Sequence, residues 1–195
     1  MTKRNLGSSF DIYPMPVVIV GTLVDGQPNF MTAAWFTKLC FEPLLVGVSI
    51  GHQKHTVRGI RQTREFSLNF PAVDQAILAD YCGLVHGHEE NKAVHVDMFS
   101  GQLDGAPMVR QCPVNVECRL MQTVTLPKNY LFVGEVVNVY ADEEILTDGA
   151  IDAAKLRPLV FTLLGGAYWH IGEFVGQAWD IGKHLLTSKK VTDDQ

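Results

Sequence analysis

Surplus charge of one sign is missing from this chain. Its 195 residues carry 16 Lys and Arg against 21 Asp and Glu, a formal charge of −5. A general nucleic-acid binder would show a basic surplus, so no nucleic-acid partner is expected; one local basic pocket is still compatible. Long apolar runs are missing too. Val17–Val20 breaks at Gly21 and is too short to span a bilayer. The start, MTKRNLGSSFDIYP, has no apolar segment directly after its basic residues. No signal peptide is read there, and a cytoplasmic location with no membrane contact is expected. Cysteine is sparse, at positions 40, 82, 112 and 118, with no C-x-x-C pair. That spacing argues against a zinc ribbon or iron–sulfur cluster and leaves free, mostly buried thiols as the default. G-x-G-x-x-G, Walker and H-E-x-x-H sequences are absent, and no Ser/His/Asp or Cys/His nucleophile can be assembled.

What is present is a globular composition, 47% apolar, of one-domain length. Val17–Val24 reads as a strand, Asp25-Gly26 as a hairpin turn, and Phe30–Phe36 as the returning strand, polar and small in its middle. Leu44–Ile50 reads as a buried strand. Pro113–Leu126 alternates most clearly: Val114, Val116, Cys118 and Leu120 point one way, Asn115, Glu117 and Arg119 the other. Tyr130–Tyr140 returns beside it, with Gly134 as a bulge or closure point. Ala72–Cys82 reads as a helix stopped by Gly83, Asp152 as the cap of a short helical turn, and Leu159–Leu164 as a further strand. Glu173–Leu186 reads as a short helix or arm, and the polar tail from Thr187 as frayed. At least six strand candidates with few, short helices favour a closed or nearly closed antiparallel barrel, because closure removes exposed edges.

Ser49–Pro71 draws most attention. It reads as a strand end, a turn at Gly51-His52-Gln53, a helix from about Val57 with Thr56 at its N-cap, and a strand over Phe66–Phe70. Lys54, His55 and Arg58 stand where acidic residues would favour the helix dipole, which suits a bound anion such as a phosphate. An ordinary strand-to-helix turn with a solvated basic rim would carry the same residues. Asn29, Thr32 and Trp35 share one strand, and Thr32-Ala33-Ala34 would bare its backbone to a flat heteroaromatic ligand; Trp35 as a core aromatic is the other reading. Leu84–Asp97 is a long polar loop of the kind that binds ligands. His86, His88 and His95 in it lack the carboxylates of a metal site and read as solvated, as does Lys92.

Taken together, N-F-M-T-A-A-W at 29–35, S-I-G-H-Q-K-H-T at 49–56, E-F-S-L-N-F-P at 65–71, Cys82-Gly83 with Lys92 beyond, V-G-E-V at 133–136 and Y-W-H-I-G-E at 168–173 resemble the flavin reductase-like, FMN-binding split-barrel family, on its flavoredoxin side. The match runs in family order over about 14–183. The resemblance implies a mainly β, Greek-key split barrel, one FMN-binding domain over 1–195, working as a homodimer with noncovalent FMN near the interface. It implies that Asn29, Thr32, Ala33, Ala34 and Trp35 lie against the flavin ring, that Lys54, Thr56 and neighbouring N–H groups hold the phosphate with Asn69 nearby and Lys92 close to the flavin, that Tyr168 and Trp169 fall near the ring or the dimer seam, and that Ser49, His55, Cys82 and Gly83 complete the cofactor site. FMN would then carry the redox chemistry, with no catalytic residue from the protein and no metal. NADH or NADPH would be the donor, and free flavin, a ferric complex or a redox protein the acceptor. A flavoredoxin-like electron carrier without a nicotinamide site, and a split barrel that binds a ligand without redox work, remain as alternatives. The chain departs from the family where His86 and His88 replace a serine and an arginine of the loop before Lys92, and His88 is read as a pH-dependent substitute for that arginine.

Overall fold

The computed structural model describes residues 2–8, 14–183 and 185–186. Residues 10–13 of the lead-in, His184 and the tail from Thr187 lie outside the described residues. A short strand β1 (Met15–Pro16) leads into β2 (Val18–Val24). Asp25 and Gly26 both take positive φ, 49° and 76°, as a two-residue hairpin turn requires, and β3 (Gln27–Ala33) returns. The expected second strand breaks at Ala34-Trp35, and β4 (Phe36–Phe41) begins after it. Then come β5 (Leu44–Gly51), α1 (His55–Thr63), β6 (Glu65–Phe70), α2 (Ala76–Leu84), the pair β7 (Met98–Phe99) and β8 (Met108–Val109), and the long hairpin β9 (Val114–Thr125) and β10 (Asn129–Ala141). A small hairpin β11 (Leu146–Thr147) and β12 (Ala150–Ile151), the turn α3 (Ala153–Leu156), β13 (Leu159–Thr162) and β14 (Ala167–His170) close the order.

Seven strands form one antiparallel sheet in the order β3-β2-β6-β9-β10-β5-β4. Its two edges, β3 and β4, are separated in sequence by Ala34 and Trp35 alone. A flat sheet of that order would set its edges about 29 Å apart at roughly 4.8 Å per strand, a gap two residues cannot bridge. The sheet therefore rolls into a Greek-key barrel that stays split between β3 and β4. Val18, Val20, Val48, Ile50, Phe66 and Phe132 fill it, and Val57 and Ile60 of α1 pack into the same core. Val17, Ile19 and Phe30 face outward instead and bury against Ala79 and Cys82 of α2, so β2 is apolar on both faces. At Gly134 the β9–β10 register shifts, and a Cβ there would lie 2.5 Å from Phe66 Cζ, which is the close approach expected of it.

Two expectations need correction. α1 starts at His55, with Lys54 rather than Thr56 at the N-cap. Gly83 does not stop α2, which continues to Leu84. On the polar side of β9, Asn115 and Glu117 are buried. A loop from Gln102 to Val109 covers that face, and the polar side chains pair with its backbone. Asn115 Nδ2 donates to the Val109 carbonyl at 2.7 Å, and Glu117 accepts from the N–H groups of Leu103 and Gln102 at 2.9 and 3.2 Å and from Tyr140 Oη at 3.0 Å. Burial alone would raise the Glu117 pKa, but these donors outweigh it and hold the carboxyl below its ordinary value.

A carboxyl with a depressed folded-state pKa stabilises the fold above its unfolded pKa and loses that contribution as pH falls through the folded value. Glu117→Gln is expected to lower unfolding free energy at pH 7 by about 1–3 kcal/mol, with the gap closing below roughly pH 4.3. Urea melts of both proteins from pH 7 to acid check this, and a gap that stays constant would contradict it.

Candidate functional site

β5 ends at Gly51, whose carbonyl accepts from Lys54 N at 3.0 Å, and this turn delivers the chain into α1. No side chain caps α1, and its first turn holds no acidic residue. Val57 N donates to the Lys54 carbonyl at 3.0 Å, and no side chain answers the partial positive charge of the remaining N–H groups at the helix start. Thr56 is buried and its Oγ1 accepts from Asn29 Nδ2 at 2.8 Å, which ties α1 to β3. Because that oxygen already accepts, the hydroxyl proton is free to be donated elsewhere. Lys92 opens a short 3-10 turn, Lys92–His95, and is buried. Its Nζ donates to the carbonyls of Cys82 at 2.8 Å and Val85 at 3.0 Å, at the C-terminal end of α2 where a cation is favoured. Two of three ammonium protons are thereby used.

Asn29, Lys54, His55, Thr56 and Lys92 border one tight hollow, closed on its far side by His86-Gly87. Gly87 is required there: a Cβ would lie 2.2 Å from Asn29 Oδ1. Next to it a cleft of about 230 Å³ is shared by His55, His88 and Lys92. The electrostatics agree with an anion site. Burial lowers the Lys92 pKa; the Cys82 thiol raises it and Lys54 lowers it further. Burial, then Arg58 and His88, lower that of His55 against a smaller opposing pull from Asp25. The His88 ring stands 6.4 Å from that of His55, in reach of the same corner.

A second compartment of about 250 Å³ lies along the end of β3, between Thr32 and Ala34 on one side and Leu84, Phe161 and Tyr168 on the other. Tyr168 is fixed by donating to Asp80 Oδ1 at 3.0 Å, and burial with that carboxylate pushes its phenol up to about 12. Gly83 borders both compartments, so they meet there. Trp35 stands beside them, 51% exposed, and its carbonyl accepts from Ser49 N at 2.8 Å.

Most of the expected residues gather at this corner, but Ala33, Ser49, Asn69 and Cys82 do not present side chains to it. Ala33 points into the barrel core. Asn69 is fully buried and its amide is saturated, donating to Ile19 O and Ser67 Oγ and accepting from Val109 N and Asn115 Nδ2. Cys82 packs in the outer core with its thiol pushed up to about 11 by burial, and only its carbonyl reaches Lys92. Ser49 Oγ is engaged by Asn129 Nδ2 at 3.1 Å. Gly87, Asp80 and Phe161 are contributors that sequence reasoning missed. The G between two histidines was the one signal available for the first, and nothing local marked the Asp80–Tyr168 pair, 88 residues apart.

The fold is matched by known proteins. The flavin reductase like domain family matches residues 10–168, and the chain belongs to that family. Within it the chain is close to flavoredoxin. The crystal structure of flavoredoxin from Methanosarcina acetivorans superposes with a TM-score of 0.91 at 37% identity, covering 95% of this chain and 100% of that one. Flavoredoxin of Desulfovibrio vulgaris (Miyazaki F) gives 0.87 at 32% identity, over 93% and 100%. An uncharacterized protein of Archaeoglobus fulgidus is 33% identical over 132 residues, 66% of this chain and 73% of its own length.

Proposed function

We propose that this chain binds FMN noncovalently and acts as an NAD(P)H-dependent reductase of the flavin or ferric type. The observation that carries the reading is the meeting, at Gly83, of a corner rich in unneutralised cations with a slot edged by small side chains. FMN has a matching shape, one flat ring and one phosphate. Lys54, His55, Thr56 and the N–H groups of α1 would hold the phosphate, with Asn29 orienting the Thr56 hydroxyl and Lys92 adding charge. Thr32, Ala34, Trp35 and Gly83 would flank the ring, with the backbone of Ala33 contributing an edge and Tyr168 closing the far side. When bound, FMN would supply the redox chemistry, taking a hydride from NADH or NADPH and passing electrons to free flavin, a ferric complex or a redox protein. The chain's own part is to bind, orient and charge the site. The Cys82 thiol, protonated at neutral pH, offers no nucleophile.

The likeness to flavoredoxins favours a second reading, an electron carrier whose flavin is reduced by a partner protein and not by a nicotinamide. We further propose a homodimer with the flavin near its interface. Phe174, Val175 and Trp179 on the arm after β14 are 82, 91 and 92% exposed, and an apolar arm of this kind calls for cover. Among the described residues no helix is long and apolar enough to cross a membrane, and a cytoplasmic location is proposed.

The purified protein is expected to be yellow and to bleach without air when NADH or NADPH is added. Bound flavin that neither nucleotide bleaches, but a reduced carrier protein does, decides for the electron-carrier reading; a colourless protein that ignores added FMN sinks both. Lys54→Ala and Thr56→Ala are each expected to weaken FMN binding by about 1–3 kcal/mol in fluorescence titrations. Unchanged affinity in both would put the phosphate elsewhere. Sedimentation velocity is expected to return twice the chain mass, and a monomer at micromolar concentration would refute the dimer.

A further inference from the structure

A separate pocket of about 350 Å³ opens on the other side of α1, between His52, Lys54, Arg58, Arg61 and Gln62. Its basic groups are held in place. The Arg61 guanidinium lies 4.0 Å from the centroid of the Tyr130 ring, and the His52 ring packs 4.2 Å from the same ring. Planar contacts of this kind orient both donors with little freedom left to lose. His52 Nε2 is buried and has no hydrogen-bond partner, a condition that few native polar atoms are left in. The charge is answered only at Arg58. Asp25 pairs with Arg58 at 2.6 Å, whereas Lys54 and Arg61 make no ion pair among the described residues. The Arg61 guanidinium, the Lys54 ammonium and the Arg58 guanidinium, the last shared with Asp25, line one hollow and make a donor set for a multiply charged oxyanion.

We propose that this pocket is a second anion site, apart from the Thr56–Lys92 corner, and that it takes a phosphate monoester dianion. The carboxylate of a small acid carries one negative charge on two oxygens in one plane, whereas Arg58 and Arg61 of α1 and Lys54 of the turn after β5 bring three cations to the hollow, which suits a dianion with three oxygens. The group could come from a nucleotide, such as the 2′-phosphate of a nicotinamide dinucleotide, or be free phosphate. The site stands on its own observations and does not rest on the flavin reading.

The test is calorimetric titration of the full chain, saturated with FMN, using 2′,5′-ADP, 5′-AMP and inorganic phosphate as probes, on the wild type, Arg61→Glu and Arg61→Gln. Arg61 is exposed, so both variants are expected to fold. At least one probe should bind, more weakly as salt rises, and Arg61→Glu should weaken it by about tenfold or more, with Arg61→Gln between. Tighter binding of 2′,5′-ADP than of inorganic phosphate identifies a nucleotide as the source, and equal binding identifies free phosphate. No binding by any probe at millimolar concentration, or one affinity across all three proteins, overturns the proposal. So does a fall in FMN affinity of the Arg61 variants with phosphate binding unmoved, since it would assign this pocket to the flavin's own phosphate. If the chain binds no FMN, the same titrations without flavin decide the question unchanged.

Discussion

The structure depends on a short link. Ala34 and Trp35 must join the two edges of a seven-stranded sheet, and no flat arrangement lets them. Rolling the sheet encloses the core, and it also brings the end of β3 beside Ser49 on β5, whose N–H donates to the Trp35 carbonyl. β5 runs from there into α1. The rolled sheet therefore sets a small-residue strand end and an uncapped helix start near one another, and the Asn29–Thr56 hydrogen bond locks that placement. The site is a consequence of closure: its two halves lie on segments that a flat sheet would hold at opposite edges.

Closure has an electrostatic consequence. α1 begins with Lys54 and His55, follows with Arg58, and faces Lys92 from the loop after α2. Each of these opposes either the helix dipole or its neighbours. The lowered pKa of His55 comes first from burial, and Arg58 and His88 add that repulsion to it. A fold that keeps such a cluster needs compensation elsewhere. Part of it is visible: Asp25 answers Arg58, and the carbonyls at the end of α2 answer Lys92. Lys92 thus has two tasks, to close the end of α2 and to bring a charge to the corner. Its removal would leave the Cys82 and Val85 carbonyls without this donor, so a change in ligand affinity at this position will not come free of a change in stability.

Much of this was legible because the governing signals are local. Asp25-Gly26 forces a hairpin by its φ values alone, and Val114–Leu120 alternates with a period that only a strand fits. The cationic corner was legible for a similar reason: acidic residues are missing where a helix start would favour them. What escaped was non-local. Thr56 looked like an N-cap, yet its hydroxyl is committed to Asn29, 27 residues away, and the cap position falls to Lys54. The alternation set Asn115 and Glu117 on the polar side of β9 but did not show that the loop from Gln102 to Val109 lies over them and uses them as its hydrogen-bond partners. Asn69 looked like a ligand contact because of its place in the motif, and its amide belongs to that same network. A single sequence does not record which distant backbone will come to a polar side chain.

The two faces of α1 raise a last point of consistency, since two anion sites on one short helix would repel if each held a dianion. Lys54 borders both hollows and Arg58 acts on His55 while lining the outer pocket, so cationic groups stand between the two. In an aqueous cleft at physiological salt, charges beyond about 8 Å are largely screened. Occupancy of one site also draws on Lys54, which would weaken the other to a degree set by how far that single ammonium is shared. With both proposed sites filled, such sharing would make the helix a coupling element between the cofactor and a phosphate on the far side, and the coupling would be equal in both directions. A protein that keeps one ligand and exchanges another has use for that arrangement: the resident anion would loosen the hold on the visiting one and so hasten its departure.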